Sequence, residues 1–279
     1  MLRALIKCNK HLWIIYFFLG IWGAPLFSQT PNWKQLDEGL YFVELDAPQK
    51  SDLGDSKISI LKIDPDIYEF RLLTAKENQR KSRSLGQWAQ AFQLIAAINA
   101  GMYQKDLLTS VGYMKNFRHI NNNHVNPNND LFAFSPVDST LPPARIIDRS
   151  CDDFDSLRQQ YHCMFQSIRM ISCDQKNVWA KQPNRWSIAV LGTDKSGNVL
   201  FIFARSPYRV HDFINMLLAL PISITRAMYL EGGAKAGIYV KNSDFFVEKY
   251  GGFENAFVND DPSSVGWPLP NVLGIVKRK

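Results

Sequence analysis

The commonest catalytic signatures are missing from this 279-residue chain: it has no G-x-S-x-G elbow, no glycine-lysine phosphate loop, no G-x-G-x-x-G turn and no H-E-x-x-H pair. Serine-hydrolase, nucleotide and zinc-protease chemistry in their usual forms are thereby set aside. Cysteine is scarce as well. Of four, Cys8 lies in the N-terminal segment, leaving Cys151, Cys163 and Cys173. No C-x-x-C occurs and the spacing is too wide for a zinc site, so His162 beside Cys163 reads as a packed or surface residue rather than a ligand. Three thiols allow at most one intramolecular disulfide and leave one over, with the pairing open. Long basic tracts are also absent. The formal charge of +6 falls to +3 once the three basic residues of the first 28 positions are set aside, which implies no nucleic-acid partner. Past the N-terminus no apolar run approaches the length of a membrane span.

What the chain does have is enough apolar material, 46% hydrophobic and 13% aromatic residues, to bury a full core in a single domain. It opens with Arg3, Lys7 and Lys10, an apolar run from Leu12 to Phe27, then Ser28 and Gln29. That is the order of a secretory signal peptide, expected to be cleaved after Ser28, with Gly23 or Ala24 as alternative ends and an uncleaved anchor as the competing reading. The expected organisation is a signal peptide over residues 1–28 and one domain over 29–279, exported to a periplasm or the exterior, with no membrane contact beyond the signal.

Periodicity predicts strands over Gly39 to Leu45, Lys57 to Ile63 and Glu69 to Thr74. A helix follows, capped by Ser84 with Gln87 three residues on and carrying Leu85, Trp88, Ala89 and Phe92 on one face. Leu94 to Ile98 returns as a strand and runs into Asn99-Ala100-Gly101-Met102-Tyr103. The asparagine-rich stretch Asn116 to Asp130 reads as a long loop, followed by a short strand over Leu131 to Phe134. Between Cys151 and Ser172 only a helix near Phe154 to Gln160 is suggested. Ser187 to Gly192 and Val199 to Ala204 form a hairpin, and a near-continuously apolar helix covers His211 to Leu220. The fold class expected is α+β, a mixed, largely antiparallel sheet packed by helices.

Ile224 to Leu230 reads as a buried strand that ends in Glu231-Gly232-Gly233. A carboxylate at a strand end is held by the sheet, and two glycines after it permit a sharp turn or a close approach to a ligand. On these residues alone a strand, a tight turn and a solvated glutamate is the competing account. His119, His124 and His211 read as surface or core histidines, and Trp267 as a buried aromatic plug rather than a stacking platform.

Five short pieces, in order, resemble one family. Ile98 to Tyr103, Val111-Gly112-Tyr113, Gln166-Ser167, Arg185 with Ser187-Ile188-Ala189, and Tyr229 to Gly233 are similar to the motifs of the phosphodiester glycosidase domain. This is the domain of the lysosomal uncovering enzyme, which removes N-acetylglucosamine from a phosphodiester to expose mannose 6-phosphate. The resemblance runs from about Asp37 to the C-terminus. Asn99, Gly101 and Met102 match one branch, and Tyr103 is a mild change. Glu231 stands where the family has aspartate, and Ala234 and Lys235 where it has a small residue and serine. A carboxylate one methylene longer shifts its oxygen by about an ångström, a displacement that can cost about a hundredfold in rate.

The resemblance implies an exported hydrolase of a glycosyl phosphodiester, acting on a glycan or sugar-phosphate substrate. A carboxylate stabilises or attacks an oxocarbenium-like centre, or activates water toward it, and phosphate leaves without a strong general acid. Glu231 is the expected carboxylate. Arg185 is the expected phosphate-binding cation, because a guanidinium grips phosphate bidentately. Arg205 and Arg209 are weaker candidates for that task. Asn99 and Gln166 are expected to hydrogen-bond sugar or phosphate oxygens, Ser167 to donate a further bond, and Met102 and Tyr103 to line the substrate. The backbone at Gly101, Gly232 and Gly233 offers N–H groups to an anion. No cofactor or metal motif is present, although an all-oxygen cation site leaves little trace in spacing. Two other readings compete: a non-catalytic carbohydrate- or anion-binding envelope protein that keeps the fold, favoured by the altered Glu-Gly-Gly-Ala-Lys motif, and a purely structural envelope protein.

Overall fold

The structure is a computed structural model that describes residues 30–127, 129–254 and 266–279, so the expected signal peptide lies outside the described residues. The strands are β1 (Lys34–Asp37), β2 (Leu40–Asp46), β3 (Lys57–Ile63), β4 (Tyr68–Thr74), β5 (Ala96–Asn99), β6 (Met114–Asn116), β7 (His119–Asn122) and β8 (Asn129–Pro136). They continue as β9 (Ala144–Ile147), β10 (Tyr161–Ile171), β11 (Trp186–Asp194), β12 (Val199–Tyr208), β13 (Ile224–Gly232), β14 (Gly237–Asn242), β15 (Phe245–Tyr250) and β16 (Asn271–Lys277). The helices are α1 (Leu85–Phe92), α2 (Phe154–Gln160) and α3 (Val210–Ala219).

β12 shows why the chain makes layers. Its residues Val199 to Ala204 are apolar without a break, as a strand buried on both faces must be. Val199, Phe201 and Phe203 enter one core cluster, while Leu200, Ile202 and Ala204 enter another. The first cluster lies between an 11-stranded sheet and a 5-stranded sheet ordered β15-β14-β5-β16-β4. Phe70 of β4 is one of the contacts that tie the two sheets together, with its ring 5.2 Å from Phe132, 6.1 Å from Phe134 and 6.4 Å from Phe201. The second cluster lies between the outer face of the large sheet and α3, which buries Val210, Phe213, Ile214, Met216 and Leu217. α1 packs Leu85, Trp88 and Ala89 on the outer face of the small sheet, and its Ser84–Gln87 capping box forms as the sequence predicts.

Every pairing between named strands is antiparallel, so the expected mixed sheet is corrected to two antiparallel sheets, and the protein is largely β with helices on its outer faces. Two further expectations change. The predicted loop from Asn116 to Asp130 contains the end of β6, all of β7 and the start of β8. Its asparagines hid the strands because they bond backbone rather than show alternation: Asn122 donates to the Ser110 carbonyl at 2.7 Å, and Asn121 accepts from the Ser110 N–H at 2.8 Å. The unassigned stretch after α2 is β10, an 11-residue strand that forms the spine of the large sheet.

Cys151 is disulfide-bonded to Cys173, and Cys163 is free and buried. Burial pushes the Cys163 thiol up to about 11, which makes it a packing residue. Among the described residues no helix is long and apolar enough to cross a membrane.

Candidate active site

β10 creates the site by losing a neighbour partway along. On one edge it pairs with β6 through Cys163, Met164 and Phe165, then with β13 from Ile168 onward. Gln166 and Ser167 stand at the fork between those two partners. Gly101 enters there, with φ of +77° and a Cβ position 3.2 Å from the Gln166 carbonyl. A side chain at Gly101 would combine left-handed strain with that close approach, so glycine is required. The end of β13, carrying Glu231, diverges from β10 at the same fork.

The polar motif residues are spent on holding this fork open. Gln166 is buried, and its amide nitrogen donates to the carbonyls of Asn126 at 2.8 Å and Asn129 at 3.2 Å. Its amide oxygen accepts from the N–H groups of Asn126 at 2.8 Å and Tyr113 at 3.3 Å. Ser167 donates its hydroxyl to the Tyr229 carbonyl and so braces β13 against β10. Asn99 donates to the Lys235 carbonyl at 2.9 Å and accepts from the Gly237 N–H at 3.1 Å. These bonds clamp the 3₁₀ turn Gly233–Lys235 that follows Glu231. All three residues were expected to face substrate. In the structure their side chains are buried and bonded to backbone.

β13 continues through Gly232, two residues beyond the expected strand end, because Gly232 is extended and Glu231 pairs with Ala189 of β11. The turn falls at Gly233, whose φ is +67°. Gly232 has another reason to be glycine. A Cβ there would overlap the Tyr229 hydroxyl and come within 2.5 Å of the Trp186 indole.

The Glu231 side chain is partly buried and accepts the Gly232 N–H at 3.0 Å. Burial pushes its carboxyl up to about 7, against the opposing pull of the Gly232 N–H and the Lys235 charge. Lys235 holds its ammonium 4.7 Å from the centre of the Tyr103 ring. The Tyr103 hydroxyl is raised by burial, with Lys235 opposing and Glu231 adding to the shift. Glu231, Lys235 and Tyr103 therefore share one electrostatic neighbourhood. Met102 packs into the α3-side cluster that contains Tyr229, Trp179 and Trp186. Its carbonyl accepts from Val111 at 3.0 Å, which joins the second motif to the first. An acid poised near neutrality, a cation and aromatic side chains are thus assembled in one place, a combination that marks a candidate reactive site.

The two expected arginines have partners of their own. Arg185 pairs with Asp52 at 3.3 Å and with Glu254. Only its neighbour Trp186 reaches the Gly232 backbone. Arg205 is on β12, where its carbonyl accepts the Ser187 hydroxyl, and β11 separates that strand from β13. Trp267 is 53% exposed, so it is not a buried plug. Lys235, Tyr229, Trp186 and Trp179 were not singled out as site residues by sequence. Lys235 had a signal, a charged side chain four positions after the carboxylate within the one altered motif. Tyr229 lies within the last resembling segment, whereas Trp186 and Trp179 had no signal, because their convergence on it depends on strand register.

The chain is similar to known proteins in sequence pattern and in fold. A family model described as phosphodiester glycosidase matches residues 92–276. The fold is shared with a hypothetical protein from Synechocystis, at a TM-score of 0.61 and 11% identity over 90% of this chain. This chain spans 64% of that protein's length. It is shared also with the zebrafish N-acetylglucosamine-1-phosphodiester alpha-N-acetylglucosaminidase catalytic domain, auto-inhibited by its pro-peptide. That TM-score is 0.55 at 12% identity, covering 90% of this chain and 85% of the other. No curated protein sequence matches. With the family match covering well over half of its length, the chain belongs to the phosphodiester glycosidase family.

Proposed function

We propose that the protein is an exported hydrolase that cleaves the bond between the anomeric carbon and the phosphate oxygen of a glycosyl phosphodiester. The observation that carries this reading is the placement of Glu231 at the end of β13, where its carboxylate accepts the Gly232 N–H at 3.0 Å and Lys235, in the 3₁₀ turn that follows, is the nearby cation. In its ionised form Glu231 meets positive charge developing at the anomeric carbon, either attacking it or activating water toward it. The carbon–oxygen electron pair leaves with the phosphate, which departs as a monoester anion. Lys235 stabilises that departing charge, and the oxygen of water ends on the sugar while its proton passes through Glu231 to solvent. The Trp186–Tyr229 wall and Met102 supply apolar surface for the sugar ring. Arg185, expected to hold the phosphate, is engaged by Asp52 and Glu254, and its role in this reading is to fix Trp186 behind Gly232. Export is supported by the order of basic, apolar and small residues at the N-terminus and by the Cys151–Cys173 disulfide, which suits an oxidising compartment.

Hydrolysis of a sugar 1-phosphodiester in ¹⁸O-labelled water tests the bond assignment. Label in the released sugar and none in the phosphate monoester is expected. Label in the phosphate would identify attack at phosphorus, and Glu231 would then have no part as the carboxylate that meets the anomeric carbon. Glu231, Ala234 and Lys235 depart from the family motif, and binding of the diester without any turnover would favour a non-catalytic glycan- or anion-binding protein.

A further inference from the structure

Of the nine large apolar side chains exposed among the described residues, four fall between positions 107 and 120: Leu107 at 55%, Val111 at 38%, Phe117 at 56% and Ile120 at 51%. The turns that carry them are tied to one strand. Asn121 of β7 donates its side-chain amide to the Leu108 carbonyl at 3.1 Å and accepts the Ser110 N–H at 2.8 Å, and Phe117 and Arg118 make the turn that joins β6 to β7. Leu107 and Phe117 stand on left-handed backbone, with φ of +56° and +51°, and among the described residues no other apolar side chain does so. Glycine or asparagine would suit such turns better, so a bulky apolar group held there in water serves something other than the turn. Charge concentrates on the same face. Residues 75–81 and 104–122 carry six basic side chains, Lys76, Arg80, Lys81, Lys105, Lys115 and Arg118, against two acids, Glu77 and Asp106. Six less two is +4, more than the +3 of the whole chain past residue 28, so the remaining surface is close to neutral. Residues 75–81 join this face through Lys76, which donates to the Asn121 carbonyl at 3.0 Å, and through Glu77, which accepts from Asn116 at 3.1 Å. Asp106 is occupied by the Thr109 hydroxyl and N–H.

Exposed apolar tips within a basic field are the means by which a protein surface rests on anionic lipid. Backbone joins this face to the Glu231 site. Tyr103, whose ring lies beside the Lys235 ammonium, bridges to Ser110, and the Gln104 N–H donates to the Thr109 carbonyl at 2.7 Å. The loop that presents Leu107 therefore grows directly out of the site. Four residues from Tyr103 to Leu107 span at most about 13 Å, so a lipid surface met by Leu107 lies close to the bond that Glu231 would cleave. We propose that this face docks on an anionic lipid surface and that the diester hydrolysed is carried there, as a sugar 1-phosphate esterified to a lipid alcohol. The proposal rests on Glu231 being the hydrolytic centre. The oxygen of water ends on the anomeric carbon, the carbon–oxygen electron pair leaves with the phosphate, and the lipid monophosphate stays in the bilayer. Such a contact departs from the expectation of no membrane contact beyond the signal, because tips drawn from separate turns leave no apolar run in the sequence.

The test uses the chain from Gln29 onward, which lacks the apolar N-terminal segment that would itself enter lipid, and a double variant, Leu107→Asn with Phe117→Asn. Asparagine accepts left-handed backbone more readily than leucine or phenylalanine, so the variant is expected to melt no lower than wild type. Each protein is sedimented with vesicles of phosphatidylcholine alone and of phosphatidylcholine mixed with phosphatidylglycerol. Wild type is expected to prefer the anionic vesicles by about tenfold or more, and the variant to bind them about tenfold more weakly than wild type. Two sugar 1-phosphodiesters are then assayed for free sugar, one of a water-soluble alcohol and one of a long-chain alcohol held in the anionic vesicles. Equal kcat/KM for the two proteins on the soluble diester is expected, with about a tenfold loss in the variant on the vesicle-borne one. Turnover of the soluble diester by a wild type that binds no vesicles, or vesicle binding and lipid-diester turnover that are the same in both proteins, overturns the docking assignment and leaves the hydrolase reading standing. A dimer formed by wild type and not by the variant in analytical ultracentrifugation, with no vesicle binding, assigns the face to a second copy of the chain and overturns it likewise. Vesicle binding that depends on Leu107 and Phe117, with neither diester cleaved, supports the lipid-binding face and removes the hydrolase reading, and the lipid diester with it.

Discussion

Replacing Glu231 by glutamine should make the protein inactive and, above neutral pH, more stable. The carboxyl is raised from an ordinary 4.5 to about 7, chiefly because burial penalises its charge. Between those values the folded chain holds a proton at Glu231 that the unfolded chain has lost. Wild-type stability therefore declines as pH rises through this window, and above pH 7 the full cost of the buried charge is carried. An interval of about 2.5 pH units corresponds to about 3 kcal/mol. Glutamine keeps the amide-like shape and the oxygen that accepts from Gly232 N–H, and it never ionises. At pH 4 the variant should match wild type. At pH 8 it should be more stable by about 3 kcal/mol, or roughly 6 to 12 °C in melting temperature for a domain of this size. Urea or thermal denaturation of both proteins across pH 4 to 8 measures this directly. A stability difference that does not change with pH would show that Glu231 is not a strained buried carboxyl, and the electrostatic basis of the site would fall with it.

Lys235→Met should lower kcat/KM about a hundredfold by removing the cation that meets the departing phosphate. Because Lys235 pulls the Glu231 carboxyl down, the acid limb of the pH–rate profile, expected near pH 7 in wild type, should move upward in any residual activity. Gly232→Ala places a Cβ against Tyr229 and Trp186 and should cost about 1 to 3 kcal/mol in denaturant melts, with activity lost through displacement of Glu231. Cys151→Ser opens a link between residues 22 apart in sequence and should cost about 3 kcal/mol, a loss that reducing agent should reproduce in wild type and not in the variant.

Much of the fold was written in local sequence. The Ser84–Gln87 box, the α2 span and the β11–β12 hairpin rest on patterns within a few residues of one another, and all three appear in the structure. The five motif segments were legible too, and they meet around the β10 fork and the end of β13. Their roles were less legible, because a buried amide and a ligand-binding amide look alike in a sequence. Gln166 and Asn99 bond backbone that lies 40 and more than 100 residues away, a fact fixed only by strand register. The same distance effect bears on the candidate cations. Arg185 carries the more suitable group for phosphate, yet Asp52 and Glu254 come to it through the fold, while Lys235 stays beside Glu231 because a single 3₁₀ turn holds it there. The sheet was harder again: β6 and β7 lie in asparagine-rich sequence that shows no alternation, and their pairing depends on β10.

The central claim is that Glu231 performs hydrolysis of a glycosyl phosphodiester. It is tested most directly by incubating the chain from Gln29 onward with a panel of sugar 1-phosphodiesters, N-acetylglucosamine among them, and assaying free sugar, with Glu231→Gln in parallel. Release of sugar by wild type, and none by an equally folded variant, is the predicted result. Equal release by both proteins, or binding of the diesters by both with no sugar released by either, would contradict it.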